Sequence, residues 1–311
     1  MGVILGELFT LPDPPSVWSG LAMKWFGTDG SEWTLSDSTD GTVMMPGVRG
    51  MSMPPIVHHR AAHASVPGAR WRGLHVDVRE VFWPLQIFTG TGSQDWVEKD
   101  RAFWKSLDPA GTGTWTVTLP DGRTRSLTLR YTGDSEYAFS HDAVQDGWST
   151  YGITLEAEQP FWEGEPVTRA WQQGVEVPFF QDSTGDGTFR ISPGRTLTTA
   201  QLLNPGDVEA YVVWEIHGPV DSAVVGINGK TITIPFAVPD GQVLRIDTNP
   251  TAQIALMGPE GGNLTNDKTS ALTNIVFAPL PPSAAMSNLS LSVEGSGSIS
   301  ATFTPRYYRA W

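Results

Sequence analysis

The chain has 311 residues, 33 acidic side chains against 20 lysines and arginines, a formal net charge of −13 and no cysteine. Without cysteine there are no disulfides, thiolate zinc sites, iron–sulfur clusters or thiol nucleophiles, and the acidic balance disfavours a dedicated nucleic-acid binder. Glycine (33) and proline (24) approach a fifth of the chain, against the ~12% of an average protein, which argues for many turns and few long helices.

At roughly 150 residues per domain the length suggests two domains, each able to bury a core. No run approaches the ~20 apolar residues of a membrane span. Residues 1–9 lack a basic start and meet Glu7 too soon for a signal peptide, and Gly6 stands where a myristoylation signal needs Ser or Thr. A soluble chain without an export signal is expected.

Trp18, Trp25, Phe26 and Trp33 are separated by Gly20, Gly27 and Gly30, as in short strands and turns. Met44-Met45-Pro46-Gly47 and Met51-Ser52-Met53-Pro54-Pro55 read as loop. So methionine-rich a loop suits either protein contact or an ordinary exposed connection. Residues 74–88 start with clean alternation, Leu74, Val76 and Val78 on one side and His75, Asp77 and Arg79 on the other, the period of a half-buried strand, and Pro84 is expected to end it or place it at an edge. Residues 93–107 form the one clear helix, with Ser93 able to cap it, Asp95 in its first turn, and Trp96, Phe103 and Leu107 on one face. Residues 114–131 read as a hairpin turning at Pro120-Asp121-Gly122, and 148–158 as another strand.

The second half shows strand candidates at 211–217, 223–227, 230–236, 243–248, 273–277, 288–293 and 299–303, with Asn228-Gly229 as a hairpin turn. Seven strands with regular turns describe a β-sandwich, and no helix is expected after residue 170 beyond short turns. The thirteen tryptophans serve core and interface in such a fold, or else a sugar-binding platform.

Few constellations suggest chemistry. His58, His59 and His63 cluster between Pro54-Pro55 and Pro67-Gly68, with no carboxylate nearby to complete a metal site, and are expected in a solvated loop. Asp182 to Gly187 partly mimics a calcium loop, but the twelfth position is Pro193 instead of Glu. No nucleophile elbow, phosphate loop or dinucleotide fingerprint occurs. Asp134, Glu136, Glu156, Glu158 and Glu215 could hide a glycosidase pair, yet nothing singles out two of them, and the acids, like Arg123 and Arg125, read as solvated surface.

The order of several segments carries a resemblance. Leu107-Asp108-Pro109-Ala110-Gly111-Thr112-Gly113-Thr114-Trp115 leads through Leu119-Pro120-Asp121-Gly122-Arg123 and Leu129-Arg130-Tyr131 to Leu155-Glu156-Ala157-Glu158-Gln159-Pro160-Phe161-Trp162-Glu163-Gly164. Asn204-Pro205-Gly206-Asp207, Tyr211 to Pro219, Arg245 to Pro250 and the terminal Pro305-Arg306-Tyr307-Tyr308-Arg309-Ala310-Trp311 follow. Over most of residues 74–311 the chain resembles the minor tail proteins of long-tailed phages of actinobacteria, the distal tail group.

The resemblance implies a mainly β protein. Residues 1–165 would be a β-sandwich ring domain with one helix, and residues 166–311 a galectin-like β-sandwich displayed outside the ring. It implies a structural, non-enzymatic tail-tip component of the virion, assembled in the host cytoplasm as a homo-hexameric ring. Such a ring would join the tail tube protein to the tail-tip hub and receptor-binding apparatus, with DNA passing through its lumen without specific binding. No catalytic, cofactor or metal residue is implied. The alternative is a carbohydrate-binding module whose Trp platforms contact host cell-wall glycans, and a glycan-cleaving enzyme is a third reading. A ring needs two different patches per subunit, and the expected interface residues are Trp18, Trp25, Met44, Met45, Met51 and Met53. Tyr307, Tyr308 and Trp311 join them, because so aromatic a terminus is expected to pack on a domain or a neighbour.

Overall fold

The computed structural model describes residues 18–90, 93–134, 141–172, 197–282 and 285–311. Chain contacts divide it into two compact units, Met1–Trp162 with Tyr308–Trp311, and Glu163–Tyr307. The last four residues therefore belong to the first unit, against the expectation that all of 166–311 forms the second. The protein is mainly β.

The first unit contains β1 (Ala22–Phe26), β2 (Glu32–Thr34), β3 (Thr42–Met44), β4 (Ile56–His63), β5 (Val66–Val76), β6 (Arg79–Phe88), α1 (Ser93–Lys105), β7 (Gly113–Thr118), β8 (Thr124–Gly133), α2 (Ala143–Asp146) and β9 (Trp148–Ala157). The main sheet runs β2-β1-β7-β8-β9-β6-β3, with every neighbouring pair antiparallel. Its two ends approach each other. The Met44 amide donates to the Leu35 carbonyl at 2.7 Å, and the Thr42 hydroxyl donates to the Thr34 carbonyl at 2.9 Å. The sheet thus curls nearly closed and hides edges that would otherwise invite pairing.

Period-two alternation fills its interior. Met23 and Trp25, Trp115 and Val117, Leu127 and Leu129, Ile153 and Leu155, and Val81, Trp83, Leu85 and Ile87 are all buried. Trp83 meets Trp25 and Trp115 edge-to-face at 5.2 and 5.4 Å, and Trp115 meets Trp162 at 5.0 Å. Such pairs add to the area term. Gly113 is required here, because a Cβ on it would lie 2.2 Å from the Trp25 ring. Helix α1 covers part of this core through Trp96 and Phe103, which are buried. The Trp96 indole donates to the Ile87 carbonyl, and the Trp25 indole to the Ser106 hydroxyl just beyond the helix.

Two expectations for 74–88 change. Leu74 and Val78 are exposed, and Arg79 is buried. The chain breaks strand at Asp77-Val78, so the inward phase of β6 is Arg79, Val81, Trp83, Leu85 and Ile87, opposite to the phase read from β5. Pro84 does not end the strand. It pairs with Gly152 of β9, and on its other side its carbonyl accepts the Met45 amide at 2.7 Å. It lies between β3 and the bridge from Arg49 to Phe82, a gap where no ladder amide is needed.

Arg79 is the largest buried polar group of the unit. Its guanidinium donates to four backbone carbonyls, those of Pro160, Gly50, Ser52 and Tyr308, at 2.5–2.8 Å. Burial brings its pKa down to about 10. Arg125, expected on the surface, is also buried and donates to the Arg309 carbonyl at 2.7 Å. The Ala310 amide donates to the Met51 carbonyl, and Tyr308 meets Phe161 edge-on at 5.9 Å. Two arginines, one backbone bond and one ring contact thus tie the chain end into the first unit.

The two-residue β10 (Trp162–Glu163) stands at the division. The second unit continues with β11 (Val167–Gln172), β12 (Gln201–Leu202), β13 (Val213–His217), β14 (Val220–Ile227), β15 (Lys230–Ile234), β16 (Gln242–Asp247), β17 (Ile254–Pro259), β18 (Asn266–Asp267), β19 (Ser287–Asn288), β20 (Ser292–Gly295), β21 (Ser298–Phe303) and β22 (Arg306–Tyr307). A six-stranded sheet, β11-β21-β13-β16-β17-β18, and a three-stranded sheet, β15-β14-β20, contribute to one apolar core that includes Trp171, Trp214, Ile216, Val225, Ile232, Leu244, Ile246 and Phe303. The β14–β15 hairpin turns at Asn228 (φ 51°) and Gly229 (φ 80°), the left-handed pair of a two-residue turn. After residue 170 the described residues contain only two 3-10 turns besides strand and loop. The 273–277 candidate forms only a bridge from Thr273 to Thr233.

Candidate functional surface

No group of three or more metal-ligating side chains occurs among the described residues. The calcium-like segment 182–187 and Glu136 lie outside them. Glu158 is ion-paired with Arg130 at 3.1 Å. No helix among the described residues is long and apolar enough to cross a membrane. Two half-buried acids have raised pKa values. Asp100 is raised by burial even though it accepts the Tyr151 hydroxyl at 2.5 Å, and Glu163 is raised by burial against the lowering pull of Arg306.

The tryptophans supply core more than platform. Trp25, Trp83, Trp96, Trp115, Trp162, Trp171 and Trp214 are buried, and only Trp71 and Trp311 are strongly exposed. The expected interface residues divide the same way. Trp25, Met44 and Met51 are buried, so internal packing accounts for them. Met44 belongs to β3, opposite Leu85 of β6, its own amide bonded to Leu35 and that of Met45 to Pro84, and is not loop. Trp18, Met45, Tyr307 and Tyr308 are half-buried, and Met53 and Trp311 are exposed. A hollow of about 410 Å³ brings Trp18, Leu21, Arg49, Met51 and Trp311 together. The Trp18 indole donates to the Met44 carbonyl at 2.7 Å, and the Arg309 guanidinium lies 4.6 Å from the Trp311 ring.

The feature that sequence reasoning missed is β4–β5. The His58-His59-His63 segment is strand, not loop, and it forms a separate two-stranded ribbon with β5. Almost all its described side chains are exposed, Trp71 at 57% and Leu74 at 51%. Pairing puts Ile56 opposite Val76, His58 opposite Leu74 and Arg60 opposite Trp71, while Val57 faces His75 and Ala61 faces Arg70. Paired residues share a face. One face thus carries Ile56, His58, Arg60, Trp71, Leu74 and Val76, and the other Val57, His59, His63, Arg70 and His75. The Trp71 indole donates to His58 Nδ1 at 3.2 Å, locking the first face. A signal was present in the sequence: between Asp40 and Asp77 there is no acidic residue at all.

No protein-family model and no curated protein sequence matches the chain. Solved structures do. The chain is similar to SPP1 Dit (gp 19.1), described as a paradigm of the hub adsorption apparatus in phages infecting Gram-positive bacteria, at 14% identity and a TM-score of 0.62, over 92% of this chain and 98% of that one. It is similar to a chain of the phage P2 baseplate in its activated conformation, solved with Ca and with Sr, at 11% identity and a TM-score of 0.52, over 91% and 97%. The fold defined by the two β units is therefore that of phage hub and baseplate proteins.

Proposed function

We propose that the chain is a structural component of a phage tail tip. In this reading the first unit assembles into a ring of six, and the protein joins the tail tube to the receptor-binding apparatus within the virion. The observation that carries it is the fold likeness to SPP1 Dit, which runs through both units and nearly the full length of each chain. The chemistry agrees, because Arg79 and Arg125 bind backbone carbonyls and Asp100 binds Tyr151, contacts that serve packing. A fold alone does not carry function, so the reading is tested on particles. Antibody raised against the purified chain is expected to decorate the distal end of intact tails in electron micrographs. Labelling of the head, of the tube wall along its length, or of no particle would refute the proposal.

A further inference from the structure

We propose that the second face of the β4–β5 ribbon holds a divalent metal ion of the copper, nickel and zinc class between His59 and His75. Four of the six histidines in the chain fall within residues 58–75, and the strand register sorts them. Val57 pairs with His75 and His59 with Gly73, so His59 and His75 stand on one face as diagonal neighbours. Diagonal neighbours are about 7–8 Å apart, within reach of ring side chains. Two metal–nitrogen bonds of about 2.0–2.1 Å close the gap between such rings. The residue opposite His59 is Gly73, and a Cβ on it would meet nothing within 4 Å. No side chain therefore stands across the ladder from His59, which leaves its ring room to turn toward His75.

The same register excludes the other two histidines. His58 lies on the opposite face, where its Nδ1 accepts the Trp71 indole at 3.2 Å. His63 is four residues along the strand from His59, a distance of about 13 Å at about 3.3 Å per residue. The donor set then selects the ion. Nothing between Asp40 and Asp77 is acidic, and the chain has no cysteine, so the ribbon offers imidazole nitrogen alone. That disfavours calcium and magnesium, which take oxygen ligands, and ranks copper(II) above nickel(II) and zinc(II). Two protein donors are fewer than the three or four of a catalytic or structural zinc site, so water fills the remaining positions. Arg70, on the same face, adds a repelling charge. Both effects put the expected affinity in the micromolar range. The inference does not rest on the tail-tip reading, because the pairing of β4 with β5 within one chain builds the site.

The test is calorimetric titration of the full chain with copper(II), nickel(II), zinc(II) and calcium, joined to electron paramagnetic resonance of the copper form. Copper is expected to bind in a single step whose spectrum shows two coordinating imidazole nitrogens, with weaker binding of nickel and zinc and none of calcium. H59N and H75N are each expected to weaken copper binding by about tenfold or more, and H58N and H63N to leave it within about twofold of wild type. All four positions are exposed, and unchanged circular dichroism shows that each variant is folded. Loss of binding in H58N or H63N equal to that in H59N would overturn the pair that the register defines. Copper held equally well by the double variant H59N/H75N, calcium binding as tightly as copper, or no copper binding below about 1 mM would overturn the site.

Discussion

Replacing Arg79 with methionine removes the group that gathers the carbonyls of Gly50, Ser52, Pro160 and Tyr308. Methionine keeps most of the stem volume, so the change reports on the guanidinium. Each carbonyl left unpaired in a buried site costs about 1–3 kcal/mol. Ending the burial of an isolated charge offsets part of that loss, because the guanidinium is held against desolvation strong enough to bring its pKa down to about 10. The net expectation is a loss of about 3–5 kcal/mol, the range for removing one partner from a buried charged cluster. For a unit of this size that is a fall of roughly 10 °C or more in melting temperature. The assay is urea and thermal unfolding followed by near-UV circular dichroism, which reads the Trp25–Trp83–Trp115 cluster. Hydrogen exchange gives a local readout: the Ala310 amide, bonded to Met51, should lose protection before the sheet does. Lysine at 79 keeps the charge but lacks the fork that reaches four acceptors, and should fall between the two. A methionine variant within about 1 kcal/mol of wild type, with Ala310 still protected, would refute the claim that Arg79 organises the terminus.

Deletion of residues 308–311 takes one carbonyl acceptor from Arg79 and one from Arg125 and removes the Ala310–Met51 bond and the Tyr308–Phe161 contact, and is expected to lower the melting temperature. Gly113→Ala forces a Cβ to 2.2 Å from the Trp25 ring and should cost about 1–3 kcal/mol as overpacking, with a changed near-UV spectrum. Asp100 has its pKa raised by burial, so the folded state disfavours its ionised form. Stability is penalised as pH rises through the interval between the unfolded value and the folded one. Asp100→Asn, which still accepts from Tyr151, should therefore raise the melting temperature at neutral pH and lose that advantage below about pH 4. An advantage that grew on acidification would contradict the assignment.

Much of the fold was legible because single elements announced themselves. The 3.6-residue period of 93–107 is the helix, the Pro120-Asp121-Gly122 and Asn228-Gly229 turns are hairpins, and the alternation of 148–158 is a central strand. What escaped depended on contacts distant in sequence. The inward phase of β6 could not be read through Asp77-Val78, since an arginine at the buried position argues for the opposite face until its four carbonyls are known. Arg125 reads as surface for the same reason. Strand β17 carries Gly258-Pro259 and so resembles a turn. The β4–β5 ribbon buries neither face, so outside Leu74-His75-Val76 it shows no apolar alternation, and the histidine segment passes for loop. Of the expected interface residues, Trp25, Met44 and Met51 were assigned outward because their segments are irregular, yet short strands and a close loop put them in the core. The proposed function was legible only through the order of structural segments, because a protein proposed to work by assembly needs no reactive constellation.

The proposed function makes this chain a ring-forming component of the tail tip. Counting its copies at the distal end of intact tails by cryo-electron microscopy tests that most directly. The account predicts six copies around the tail axis, with the first unit forming the closed ring. A copy number that is not a multiple of three, or a chain sitting off the axis, would contradict it.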